Sequence, residues 1–143
     1  MKEKTIDYTL RATWQAVSRM YNEEASKYDG SMSVGFTLLS IEKEGGTPST
    51  ALGPKMGMEA TSLTRTLKSM EEKGLIYREP NPKDGRGVLI FLTDFGKEKR
   101  ELSKKTVLKF NEIVKNNVNI QKLQNFLEVA DIINELIAEK KIF

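Results

Sequence analysis

Apolar residues in this chain recur with two different periods. Between residues 5 and 28 they fall at Ile6, Leu10, Trp14, Val17, Tyr21, Ala25 and Tyr28, the three-and-four spacing of one helical face. At 1.5 Å per residue that helix would be roughly 36 Å long. A domain of this size does not need such length, which implies packing on a partner. Gly30 stands where helices commonly stop. Residues 33–44 carry Val34, Phe36, Leu38, Leu39 and Ile41, which predicts a second helix, apolar all round and therefore central, ended by Gly45-Gly46. Thr47 and Pro48 suit the cap and first position of a short third helix, about 48–56. Pro54 removes a donor within it and should kink or shorten it. Gly57 offers a tight turn. Glu59 and Ala60 open a fourth helix in which Leu63, Leu67 and Met70 face inward and Gly74 closes the run.

The period then switches. Leu75–Glu79 and Val88–Leu92 are rich in β-formers and read as two strands. Pro80 to Gly87 lies between them, and its Pro and Asp-Gly residues favour a turn, so a hairpin with an exposed tip is expected. Thr93 caps the next helix, with Asp94 at its positive end. That helix carries Leu102, Thr106, Val107, Phe110, Ile113 and Val114 as far as Asn116-Asn117. A last helix, about 120–140, carries Leu123, Phe126, Leu127, Ala130, Ile133, Leu136 and Ile137. Both ends of the chain are therefore long amphipathic helices.

Composition narrows the function classes. The 143 residues suit one domain with a core of its own, and there is neither Cys nor His. Thiolate and imidazole metal sites, Ser–His and Cys–His nucleophile pairs and thiol redox sensing are all excluded. No GxxxxGK or GxGxxG phosphate loop is present, and the paired Glu71-Glu72 sits on a helix face. The reading is a non-enzyme without cofactor or metal. The start lacks an apolar signal core, and the run Val88–Leu92 falls far short of the roughly 20 residues a membrane helix needs. A soluble cytoplasmic protein with no membrane partner is expected. Net charge is only +3, but from Thr47 to Met70 the charges are Lys55, Arg65 and Lys68 against Glu59 alone. That basic stretch coincides with two short helices joined by a glycine turn, a helix-turn-helix pattern followed by a hairpin. A helical hairpin in any α-rich domain is the plainer reading of the two helices by themselves.

The stretch Asp84-x-Arg86-x5-Leu92-Thr93-x2-Gly96 fits the DxRxxxxxLTxxG wing motif of the MarR (multiple antibiotic resistance regulator) family at every specified position. Leu63-Thr64-Arg65-Thr66-Leu67 and Met70-Glu71-x2-Gly74-Leu75-Ile76-x-Arg78 resemble that family's recognition helix and its exit. The resemblance covers about residues 47–96. It implies a mainly α fold with a small two- or three-stranded β-wing. A winged helix-turn-helix at 33–96 would be flanked by long dimerisation helices at 5–30 and 97–143, all within a single domain, 1–143. It further implies a homodimer on a palindromic site in double-stranded DNA, acting as a repressor released by a small ligand.

On that resemblance, Thr61 and Ser62 would face base edges, Arg65 would reach a guanine edge or a phosphate, Lys68 and Lys55 would meet phosphates, and Thr64 would also belong to the DNA-binding face. Arg86 would be the wing-tip residue in the minor groove, oriented by an ion pair with Asp84. Each also has a plainer use, as solvated helix residues or, for Asp84, as a turn former. The family wing commonly carries a further basic residue where this chain has Gly85. With Gly87 on the other side, Arg86 is expected on a flexible tip that binds more weakly. Trp14, Met20, Tyr21, Met32 and Phe36 lie in the segments that would line a cleft for a small aromatic or amphipathic effector, although stripes of this kind more often fill a core. A dimeric ligand-binding or protein-interaction module that has lost DNA binding is the competing reading.

Overall fold

In the computed structural model, residues 3–56 and 60–143 are described, the side chains at 54–56, 60 and 61 excepted. Along the chain run α1 (Ile6–Ser26), α2 (Met32–Ser40), β1 (Thr47–Pro48), α3 (Ser49–Met56), α4 (Ala60–Glu72), β2 (Ile76–Asn81), β3 (Asp84–Leu92), α5 (Asp94–Asn117) and α6 (Ile120–Ala138). Two compact units divide the chain at Lys104/Lys105. The first holds α1 to β3 and the start of α5. The second holds the rest of α5 and α6.

The first unit is built around Leu38, Ile41, Leu52, Leu63, Leu67, Met70, Leu75, Ile76, Ile90 and Leu92, with Val34 and Val88 packed at the edge. These come from α2, α3, α4 and one face of the sheet, so burying them fixes the two short helices against the hairpin. Full burial of one such side chain stabilises by about 1.5–3 kcal/mol. The sheet has three antiparallel strands in the order β1-β3-β2.

Four local expectations are corrected. Helix α2 ends at Ser40, not at residue 44, because Ile41 turns extended (φ −85°, ψ 130°) and is wholly buried. Thr47 does not cap a helix. It pairs with Ile90 as part of β1, and its hydroxyl accepts the Glu42 N–H at 2.8 Å. Helix α1 stops at Ser26, and the left-handed residue beyond it is Asp29 (φ 58°), while Gly30 donates its N–H back to the Ala25 carbonyl at 2.9 Å. Pro54 does not shorten α3, which runs on to Met56. The expected Gly57 turn and Glu59 start lie outside the described residues.

The exit of α4 is the tightest junction in this unit. Gly74 takes φ +74°, and Leu75 donates its N–H to the Met70 carbonyl at 2.9 Å, a left-handed helix stop that drops Leu75 into the core. Thr93 then returns to the same spot. Its backbone N–H donates to the Leu75 carbonyl at 3.1 Å, and its hydroxyl donates to the Gly74 carbonyl at 2.6 Å. The same hydroxyl accepts the Gly96 N–H at 3.0 Å and so caps α5. Gly96 lies so close to Leu75 that a Cβ there would fall on the Leu75 carbonyl oxygen. Helix α5 is further tied by Lys97 to Glu44 at 3.1 Å and by Arg100 Nε donating to the Ile41 carbonyl at 3.3 Å.

In the second unit, Asn119 caps α6 by accepting the N–H groups of Gln121 and Lys122. No described residue of α6 is buried, and Phe126, Leu127, Val129, Ile132, Leu136 and Ile137 are all exposed. Apolar side chains also stand exposed on α1 at Ile6, Leu10 and Trp14. Among the described residues, no helix is long and apolar enough to cross a membrane.

Two outcomes follow from this packing. Gly96→Ala is expected to cost about 3 kcal/mol or more, because backbone rather than a movable side chain must yield. A urea titration reads this directly, and an unchanged midpoint would contradict the close approach. Burial raises the Tyr21 phenol above its ordinary value of 10.0. Since the folded state then holds its proton more tightly than the unfolded chain, the stabilisation is full below about pH 10 and is lost as pH rises toward the raised folded value. Phenolate absorbance should show one tyrosine titrating late, and Tyr21→Phe should abolish that late phase.

Candidate nucleic-acid interface

Helix α4 is sharply two-sided. Leu63, Leu67 and Met70 are buried, whereas Ser62, Thr64, Arg65 and Lys68 are exposed. Spacings of three and four set the buried face, and the remaining positions must then face water. Arg65 and Lys68 are three residues apart and so neighbours on the outer surface. Among the described residues, neither takes part in an ion pair. Hydroxyls and cations fill the middle of the helix, and the acids Glu71 and Glu72 come at its end. Glu71 is met by Arg78 Nε of β2 at 3.1 Å, which draws the edge strand toward the end of α4. The side chains of Lys55 and Thr61 lie outside the described residues.

The wing differs from the expected flexible turn. The strands extend almost to the tip, and only Pro82 and Lys83 separate β2 from β3. Asn81 pairs with Asp84, but the next pair is Pro80 with Val88. One step along β2 thus matches four along β3, so Gly85, Arg86 and Gly87 form a bulge on β3. The tip is pinned by its own side chains. Asn81 Oδ1 accepts the Lys83 N–H, and Asp84 Oδ1 accepts the Arg86 N–H, both at 3.0 Å.

Asp84 therefore does not orient Arg86 by an ion pair. Its carboxylate holds the Arg86 backbone, and no ion pair joins the two among the described residues. The reason is distance along the chain: an Asp two residues before an N–H reaches it in the compact turn that Asp favours. The guanidinium is left exposed at the crest of the bulge. Neither bracketing glycine has positive φ. A Cβ at Gly85 would meet open space, while one at Gly87 would lie 3.2 Å from Asp84 Oδ2.

The motif thus divides by role. Leu92, Thr93 and Gly96 serve the core and the α4–α5 junction. Asp84 shapes the bulge, and Arg86 alone points a charge outward. Two residues that the motif does not single out also matter here. Lys83 stands exposed at the apex of the hairpin, and Phe91 stacks on Tyr77 with centroids 5.1 Å apart along the opposite sheet face. The strand register, which the sequence pattern left too short, is the signal that would have found Lys83.

The five residues considered for an effector cleft are not alike. Tyr21 is buried and meets Phe36 edge to face, with centroids 5.5 Å apart. Met32 is half-buried at the start of α2, its N–H bound to Asn22 Oδ1 at 2.9 Å. Trp14 and Met20 are exposed on α1.

Comparison with known proteins places this geometry. A model of the MarR family matches residues 31–88. The HTH-type transcriptional regulator SarZ of Staphylococcus aureus (strain USA300) is 28% identical over 134 residues, covering 93% of this chain and 84% of SarZ. The uncharacterised HTH-type transcriptional regulator YdgJ of Bacillus subtilis (strain 168) is 35% identical over 78 residues, 54% of this chain and about half, 48%, of YdgJ. Among solved structures, the S. aureus MepR–DNA complex superposes with a TM-score of 0.82 over 94% of this chain and 99% of MepR, at 19% identity, a likeness of fold. A MarR-family model thus matches residues 31–88 of a chain whose fold, helix-turn-helix and wing included, is that of these winged-helix neighbours.

Proposed function

We propose that this chain is a transcriptional regulator that binds double-stranded DNA as a homodimer, with α4 in the major groove and the wing at the adjacent minor groove. The observation that carries this reading is the exposed face of α4, with Ser62, Thr64, Arg65 and Lys68 turned away from a core that locks the helix to the wing. Ser and Thr hydroxyls accept or donate to base edges, and Arg65 can take both acceptors of a guanine. Lys68, and Lys55 on α3, are suited to phosphates, which set register without reading sequence. Arg86 suits a narrow minor groove, where the negative potential is strongest. The DNA held by the MepR relative supports the same reading, as does the description of SarZ and YdgJ as transcriptional regulators rather than enzymes.

Each terminal helix offers an exposed apolar side of its own for pairing: Ile6, Leu10 and Trp14 on α1 and, in the other unit, Phe126, Ile132 and Ile137 on α6. A helix with this much exposed apolar surface is stable in water when something covers it. Two-fold pairing of winged helices in turn calls for a palindromic site. Residues 33–96 would be the DNA-reading part and residues 5–30 and 97–143 the pairing part of one cytoplasmic protein. Repression relieved by a small aromatic or amphipathic effector is the mode proposed, with the Tyr21–Phe36 pair as its aromatic contact.

The test is binding to a duplex recovered by in vitro selection, measured across a salt series. Steep loss of affinity with salt is expected; absence of binding at low salt would leave a dimeric ligand-binding or interaction module as the better description. Arg65→Ala should lose about 1–3 kcal/mol of affinity, roughly ten- to a hundredfold, and relax preference at one base pair while the dimer persists. Phe126→Asp should shift the dimer toward monomer in sedimentation, since it puts a charge on an apolar face without disturbing buried packing. A fully dimeric variant would remove that position from the interface.

A further inference from the structure

We infer that Lys83 is a second cationic prong of the wing, and that it takes a DNA phosphate beside the groove that receives Arg86. The inference rests on the DNA-binding reading above and adds a contact that the wing motif does not contain. Lys83 and Arg86 occupy two separate protrusions: the two-residue hairpin apex and the three-residue bulge. Both side chains are exposed, and among the described residues neither is engaged in an ion pair. The one acid between them, Asp84, accepts the Arg86 N–H and so turns its carboxylate toward the backbone of the bulge. Asn81 accepts the Lys83 N–H, which sets the apex conformation before any ligand arrives.

Reach decides which prong does what. Three residues of chain span at most about 10 Å, and the minor groove is about 6 Å wide. With Arg86 in the groove, the backbone that borders it is therefore within reach of Lys83. The chemistry of the two side chains agrees with this division. A planar guanidinium reads groove acceptors, and a flexible ammonium serves as a point charge for phosphate. A side chain at Gly85 would share the bulge with Arg86, whereas Lys83 leaves from the other protrusion.

The experiment compares wild type, Lys83→Ala, Lys83→Arg, Arg86→Ala and a charge-matched control, Lys122→Ala, on the selected duplex and on single-base variants of it. Affinity is measured between 50 and 200 mM salt, conditions over which phosphate contacts are most visible. Lys83→Ala should lower the salt slope by about 0.9 per wing, about 1.8 for a dimer, and weaken every duplex by the same factor. Lys83→Arg should restore the slope, and Lys122→Ala should leave it unchanged. Arg86→Ala should instead change the ranking of the variants at the flanking base pairs. An unchanged slope in Lys83→Ala, or an equal fall in the control, overturns the assignment while leaving DNA binding intact. Failure of the wild type to bind any duplex overturns the DNA-binding reading itself, and this contact with it.

Discussion

Thr93 closing onto Gly74 and Leu75 is the contact on which the rest of the first unit depends. One hydroxyl donates to the Gly74 carbonyl and accepts the Gly96 N–H, while the Thr93 N–H is received by the Leu75 carbonyl. Four elements end or begin at that point: α4, β2, β3 and α5. The hydroxyl satisfies two backbone groups that a helix stop and a helix start would otherwise leave unpaired. It can do so only because Gly96 carries no side chain and lets the two backbones touch. Position on α4 is thereby coupled to position on the wing. On the proposed reading, in which α4 and the wing reach two grooves at once, that coupling is needed, since a misplacement of either part would remove the contact made by the other.

The wing shows how a short tip is held without a core. Its order comes from local side-chain-to-backbone bonds, Asn81 to Lys83 and Asp84 to Arg86, rather than from burial. Asp84 acts on the path of the chain, not on the charge of the guanidinium. Gly87 lies under the Asp84 carboxylate, whereas a side chain at Gly85 would meet open space. An exposed cation on a defined crest loses less conformational entropy on binding than one on a loose loop. Glu71 and Arg78 add a tie from the end of α4 to the edge strand, and a partly exposed pair of this kind contributes about 1 kcal/mol or less.

Much of this was legible in the residues. The buried face of α4 at Leu63, Leu67 and Met70 follows from spacing, and so does its outward face. The helix stop at Gly74 and the cap at Thr93 follow from residue type. The errors fall where a distant strand competes with local preference. Thr47-Pro48 has the chemistry of a helix start, yet a place beside Ile90 draws it into the sheet. Ile41 continues an apolar helical run, yet complete burial draws it out of α2. Asp84 and Arg86 have the charges of an ion pair, yet the hydrogen bond two residues away is nearer at hand. Of the aromatic and methionine residues picked out on α1 and α2, Tyr21 and Phe36 meet in an edge-to-face pair, while Trp14 stays exposed.

The sequence by itself determined the kinds of element, the two faces of each helix and the chemistry that was ruled out. Periodicity, caps and the absence of Cys and His act locally and need no fold to be read. Only the tertiary structure decided the third strand, the bulge that carries Arg86, the apex position of Lys83 and the use of Thr93 and Gly96 as a joint. Each of these depends on which distant backbone group lies within hydrogen-bond reach, and no spacing along one chain contains that distance.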